Sequence, residues 1–235
     1  MKEKTAQILL KKVKNDYNDI ADEFDLTRSF VGKEFSIFDK FMIPNAKIVD
    51  LGCGNGRIVE YLKKIYVNLL KTDFNYIGVD NSENLLNKAK NKYGDTCNID
   101  LIKGDQLDIP LKSKSADMVF SIRAFHHIPS KKLRLKALIE IKRILKADGI
   151  LIITVWNLFQ KKYFKFAFAG ILRYLYTFGQ FAPNDTFIPW NKKVARYYHA
   201  FLPSELINLV KSSGFNIMEF SKGQDLIIIA RKKDD

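Results

Sequence analysis

The chain is poor in cysteine and in acidic residues, and it lacks any long apolar run. Its 235 residues contain two cysteines, Cys53 and Cys97, at no metal-ligand spacing, so no metal site is expected. Cys53 lies inside a glycine-rich loop that a disulfide would disturb, which points to a reducing, cytoplasmic setting. No apolar run reaches the roughly 18–20 residues of a membrane span. Met1-Lys2-Glu3-Lys4 leads into no apolar stretch of signal-peptide type. Internal repeats and low-complexity tracts are also missing. Acids number 26 against 39 Lys and Arg, a formal net charge of +13. That excess favours polyanionic partners such as RNA or an anionic membrane surface, unless it reflects a Lys-rich composition alone. The length suits one α/β unit with an appendage, and the 47% hydrophobic content is ordinary for a folded core.

What is present centres on Asp50-Leu51-Gly52-Cys53-Gly54-Asn55-Gly56. It follows an apolar strand and precedes a helical pattern beginning near Arg57. Glycines at alternate positions let the loop backbone approach a ligand that a Cβ would hold off. The next helix aims unpaired N–H groups and its positive dipole end at the same spot. A dinucleotide fingerprint needs its third glycine where Arg57 stands, and no Gly-Lys-Ser/Thr follows to make a P-loop. The strand Tyr76-Ile77-Gly78-Val79 ends in Asp80, whose carboxylate can accept from both ribose hydroxyls, as it also would in a dehydrogenase. A third strand, 99–103, runs into Gly104-Asp105-Gln106, where Asp105 is either a ligand or a turn residue.

The D-x-G-x-G-x-G spacing and the three acid-tipped strands resemble the class I S-adenosylmethionine (AdoMet) methyltransferases. That resemblance implies an α/β, Rossmann-like fold: a mostly parallel seven-stranded sheet with one antiparallel strand and helices on both faces. It implies AdoMet as cofactor, with Asp105 accepting from the adenine amino group and the N–H of Gln106 reaching a ring nitrogen. Asp50, Gly52, Gly54, Gly56, Asp80, Asn81 and Ser121 complete the set expected around it.

Periodicity places helices at 5–25 and about 29–42, the latter stopped by Pro44, as an N-terminal cap over residues 1–44. Strands are expected at 47–51, 76–80, 99–103, 117–121 and 149–155, with helices at 56–66, 82–92 and 131–145 between them. A helix at 203–213 and strands at 215–220 and 225–231 close a single domain over 1–235, the last pair as an antiparallel hairpin. Residues 157–199 interrupt this pattern as a basic, aromatic insert or lid, holding Lys161, Lys162, Lys165, Arg173, Lys192, Lys193 and Arg196 against the single acid Asp185. Such a stretch suits a surface that holds phosphates and stacks bases. It equally suits a lid helix over Tyr163–Phe181 packing its own aromatics, or a helix lying on a membrane.

Separated segments narrow the resemblance. Tyr17-Asn18-Asp19-Ile20-Ala21 with Thr27-Arg28, the run Ser121-Ile122-Arg123-Ala124-Phe125-His126-His127, then Val155-Trp156-Asn157 and Arg196-Tyr197-Tyr198-His199 together resemble the tRNA wobble-uridine carboxymethyl methyltransferases. In that family, V-W and R-Y-Y-H segments flank a variable basic insert. The resemblance implies methylation of a carboxymethyl group on a modified wobble uridine of tRNA, with tRNA and a small zinc-binding activator subunit as partners. Tyr17 and Arg28 would close over AdoMet, with Arg28 near its carboxylate. Arg123 and His127 would lie near the methyl. Arg196, Tyr197 and His199, with Tyr198, would orient the acceptor carboxylate, which is ionised at neutral pH and needs no general base. An amine or phenol acceptor would instead call on His126 or His127 as base. Two other functions remain open: a small-molecule methyltransferase for a lipophilic or quinone-like acceptor, and an AdoMet- or RNA-binding scaffold.

Overall fold

The computed structural model describes residues 1–28 and 32–233. The alternating apolar segments form β1 (Lys47–Leu51), β2 (Asn75–Asp80), β3 (Ile99–Lys103), β4 (Ala116–Ile122) and β5 (Leu145–Trp156). Two more, β6 (Asp185–Trp190) and β7 (Val194–His199), make a separate two-stranded sheet. Strands β8 (Phe215–Lys222) and β9 (Asp225–Lys232) complete a seven-stranded main sheet of order β3-β2-β1-β4-β5-β9-β8. Only β9 runs against its neighbours, as expected. The chain winds from β1 outward to β3, then returns to β4 on the other side of β1. This reversal leaves a crevice at the carboxyl ends of β1 and β4, where such sheets hold ligands.

Successive strand residues point to opposite faces, and each face has its own core. Val49, Leu51, Val119, Leu151 and Ile153 pack under α5 (Lys131–Ile144) and α7 (Pro203–Ser212). Ile48, Tyr76, Met118, Phe120 and Ile152 pack against α3 (Ile58–Lys63), with Phe35 and Phe38 from a 3-10 segment, Lys33–Phe41. Each fully buried large apolar side chain contributes about 1.5–3 kcal/mol relative to exposure. The helix after α3 loosens into a π-helical stretch, Lys64–Leu70. α4 (Glu83–Tyr93) starts at Ser82, whose hydroxyl accepts from the Leu85 N–H.

The expected helix over 5–25 breaks at Ile20 into α1 (Glu3–Asp19) and α2 (Ala21–Thr27). Of the helix expected over 29–42, residues 29–31 lie outside the described residues and the rest is the 3-10 segment. Asn18 fixes the cap in place: its Oδ1 accepts from the Ser82 hydroxyl at 2.8 Å and from the Asn84 N–H at 3.2 Å. Residues 157–199 form α6 (Phe164–Tyr176), within the Tyr163–Phe181 stretch offered as a lid helix, followed by the β6–β7 hairpin, which the sequence reading did not place. That hairpin joins the cap through Glu23, which accepts from the Trp190 indole at 3.0 Å and from the Asn191 side chain, and pairs with Lys193.

Candidate active site

A cleft opens at the carboxyl ends of β1, β2 and β4, under the cap and the hairpin. Its floor is the glycine loop. Gly52 holds φ +75°, and a Cβ there would sit 2.5 Å from the Ala124 Cβ, so only glycine lets the loop close against the β4 exit. Gly54 lines the cleft, and its N–H donates to Asp80 Oδ2 at 2.7 Å. Gly56 does not line it; its backbone packs against the Tyr93 ring. Asp50 also turns away from the cleft. Its carboxylate accepts from the Tyr76 hydroxyl at 2.9 Å, is buried, and is pushed up to about 7 by burial. It braces the loop from behind. Ser121 lies buried outside the lining, with its Oγ unpartnered.

One half of the cleft is acidic. Asp80 lines it from the tip of β2, Oδ1 accepting from the Ser82 N–H at 2.8 Å, and burial raises its pKa. Asp105 lines it beyond β3, fixed by the Leu107 N–H at 2.8 Å. Asn81 and Gln106 stand beside them, and Gln106 Oε1 is buried with no partner. These groups fit an adenosyl moiety. Asp105 and Asp80 keep lone pairs beyond those their backbone donors take, enough for an adenine amino group and a ribose diol.

The other half is cationic. Arg28, Arg57, Arg123 and Arg196 line it, and Asp80 and Asp105 are the only carboxylates lining the cleft among the described residues. Arg123 adopts φ +54°, and its Nε donates to Asp225 Oδ2 at 2.7 Å, so its charge is matched there. Arg28 stacks 5.0 Å from the Trp190 ring. Arg196 sits among aromatic faces, 4.6 Å from Trp190 and 5.2 Å from Tyr198. Burial opposes its charge, but the Tyr17 and Tyr198 hydroxyls hold its pKa above the ordinary value. Arg57, which enters the sequence reading only as the residue that breaks a dinucleotide fingerprint, is a fourth cation here. Burial pushes it down to about 10, with the Arg123 charge adding to that push. Basic character directly after the third glycine was the available signal.

The hydrogen-bond directions around His127 are settled by one backbone carbonyl. His127 Nδ1 lies 2.7 Å from the Tyr197 carbonyl oxygen, which can only accept, so Nδ1 carries the proton. Nε2 must then accept from the Tyr17 hydroxyl at 2.7 Å, and the Tyr17 oxygen accepts from Arg196 at 3.3 Å. His126 Nδ1 accepts from the Trp156 N–H at 3.1 Å. Burial depresses both histidines, His127 to about 3, so both are neutral.

Strand alternation divides the R-Y-Y-H segment. Arg196 and Tyr198 face the cleft, whereas Tyr197 and His199 point to the hairpin's other side. Tyr197 donates to Asp185 Oδ1 at 2.7 Å. His199 bridges Asp185 at 2.9 Å and Glu205 at 2.8 Å. The structure does not bring Tyr197 and His199 into the cleft with Arg196: Tyr197 ties β7 to β6 through Asp185, His199 ties the hairpin to Glu205 of α7, and Tyr198 and Trp156 take the wall positions.

Residues 49–153 match the family described as Methyltransferase domain. The chain is an AdoMet-dependent methyltransferase. It is 27% identical over 235 residues to the tRNA (carboxymethyluridine(34)-5-O)-methyltransferase of Schizosaccharomyces pombe, covering 89% of this chain and 90% of that one. It is 28% identical over 204 residues to the ubiquinone/menaquinone biosynthesis C-methyltransferase UbiE of Campylobacter jejuni, covering 83% of each. Among solved structures it shares the fold of a Methanosarcina mazei SAM-dependent methyltransferase, with TM-score 0.68, 18% identity, and coverage of 85% of this chain and 98% of that one. It likewise shares the fold of a chain in a Haloferax volcanii complex of the Trm112 methyltransferase activator with a methyltransferase, with TM-score 0.64, 16% identity, and coverage of 95% and 98%.

Proposed function

We propose that this methyltransferase esterifies a carboxylate, and that the carboxylate is the carboxymethyl group of a modified wobble uridine in tRNA. The observation that carries this reading is the cationic half of the cleft, with its two histidines stripped of basicity. AdoMet, when bound, supplies a methyl on a sulfonium, and a carboxylate oxygen attacking it forms C–O as S–C breaks and the electron pair passes to sulfur. The acidic half would hold the adenosine, and Arg28 the donor's own carboxylate. Arg57 and Arg196 remain as donors for a second anion, which they would orient in line with the methyl. Neither histidine offers a free lone pair in this arrangement. Nδ1 of His126 is taken by the Trp156 N–H and Nε2 of His127 by Tyr17. Proton abstraction therefore has no evident agent, and an already ionised nucleophile needs none.

The tRNA assignment draws on the fission yeast relative, on the net charge of +13 and on the V-W and R-Y-Y-H segments. On the same reading the protein acts in the cytoplasm, as a single domain, with a small zinc-binding activator subunit as partner; the Haloferax volcanii chain of the same fold is in a complex with a methyltransferase activator. The second reading, a quinone-like acceptor, is favoured by the aromatic wall of Trp156 and Tyr198 and by the UbiE relative. It is disfavoured because C-methylation of a phenol wants a base.

Nucleoside mass spectrometry of tRNA from cells lacking and regaining the protein tests the proposal. Accumulation of the carboxymethyl uridine with loss of its methyl ester supports it. Unchanged tRNA alongside a missing methylated quinone refutes it.

A further inference from the structure

The amphipathic pattern of α6 is turned inside out. Its buried residues are the small ones, Ala167 and Gly170. A Cβ on Gly170 would lie 2.6 Å from the Asp185 carbonyl oxygen, so the helix backbone seats directly on the hairpin. Its large apolar side chains, Phe164, Phe168, Ile171, Leu172 and Leu175, face water at 44–62% exposure. At spacings i, i+4, i+7, i+8 and i+11 they share one stripe roughly 100° wide. Phe178, 92% exposed, extends it past the helix end. A contiguous apolar surface of this kind marks a face that something covers.

The charges around the stripe say what covers it. Residues 157–184 contain no Asp or Glu. Lys161, Lys162 and Lys165 are exposed beside the first turn, and no carboxylate pairs with them among the described residues. RNA phosphates would satisfy these lysines but would leave Phe168, Leu172 and Leu175 in water. A second copy of the chain would bury the stripe but offer the lysines no anion from the same segment, which has no Asp or Glu. An anionic lipid surface answers both, taking the stripe at the acyl boundary and the lysines at the headgroup phosphates. At 13 residues α6 is about 20 Å long, too short to cross a bilayer. No helix among the described residues is long and apolar enough to do so.

We propose that α6 docks the methyltransferase in the plane of an anionic membrane surface, apolar stripe inward. This does not depend on the acceptor assigned above. Vesicle flotation tests it, with vesicles of equal parts phosphatidylcholine and phosphatidylglycerol against phosphatidylcholine alone. The protein should float with the anionic vesicles and be released in part by salt. Leu172→Glu/Leu175→Glu should weaken that binding by roughly 100-fold or more. Lys161→Gln/Lys162→Gln/Lys165→Gln should weaken it by about fivefold per lysine. Both variants alter exposed side chains, and an unchanged AdoMet affinity by calorimetry certifies their fold. If the double glutamate variant loses AdoMet binding, Leu175→Gln alone serves, with a smaller expected loss. Failure of the wild type to float with anionic vesicles overturns the proposal, as does equal flotation of the leucine variants. A wild-type dimer that L172E/L175E converts to monomer assigns the stripe to a second copy instead. Loss of tRNA affinity in that variant, with no vesicle binding by the wild type, assigns it to RNA.

Discussion

Replacing Arg57 by methionine removes a half-buried guanidinium from the cleft and keeps an unbranched chain that can refill the space. The depression of Arg57 to about 10 corresponds to a cost of up to ~3 kcal/mol for keeping the charge in the cleft. Arg57 is only partly buried, and solvent screening reduces this to about 1–2 kcal/mol. R57M should therefore be more stable than the wild type, with scanning calorimetry showing a rise in Tm of about 2–8 °C. The same change removes a charge-assisted donor from the anion, worth about 1.5–3 kcal/mol. Ester formation on tRNA carrying the free carboxymethyl uridine should then fall roughly 10–150-fold in kcat/KM. AdoMet affinity, measured by titration calorimetry, should hardly move, because the donor's carboxylate is given to Arg28. A variant that unfolds at lower temperature would show that Arg57 supports the fold. A loss of AdoMet affinity equal to the loss of turnover would place Arg57 on the donor. Either result would defeat the reading of a cation held for the acceptor.

Other expectations are independent of that one. His126 and His127 are neutral when folded, and the unfolded chain protonates them near pH 6.5, so their contribution is complete above that pH and is lost as pH falls, toward about 3 for His127. Asp50 works in the opposite sense: raised to about 7, it contributes stability below its unfolded value near 3.8 and loses it as pH rises to about 7. His127→Phe removes one of these groups and should lower the slope of stability against pH by about 1.4 kcal/mol per unit between roughly pH 4 and 6, measured by urea titration on both proteins. Asp185→Ala strands the Tyr197 hydroxyl, a His199 nitrogen and the Ala182 N–H, and should cost about 3 kcal/mol of stability with AdoMet affinity retained. Gly52→Ala, strained at φ +75° and crowded by Ala124, should abolish measurable AdoMet binding, while Gly223→Ala, where a Cβ meets nothing within 4 Å, should leave it unchanged.

The donor half of the site was legible in the sequence because it is local. The glycine loop, Asp80 and Asp105 sit at strand ends whose spacing is written in the apolar pattern, and the structure brings them to one cleft. Asp50 and Ser121 belong to the same motifs, but which way a strand-end side chain turns depends on the partner it meets, here Tyr76 for Asp50. The cationic half was less legible because it depends on a hairpin hidden in aromatic sequence. Asn191 and Lys192, at φ +42° and +61°, form its turn, and an asparagine between apolar stretches was the cue for it. Without the strand, the parity that separates Arg196 and Tyr198 from Tyr197 and His199 could not be read.

The two halves of the roof come from distant parts of the chain. Glu23 and Trp190, which join them, are 167 residues apart in sequence. During synthesis the glycine loop and its strands can assemble long before the hairpin exists. The growing polypeptide thus passes through a stage with the glycine loop open to water and no hairpin over it. On the reading proposed above, the site is complete only once the late segment has folded back onto the first helices and Glu23 has met Trp190.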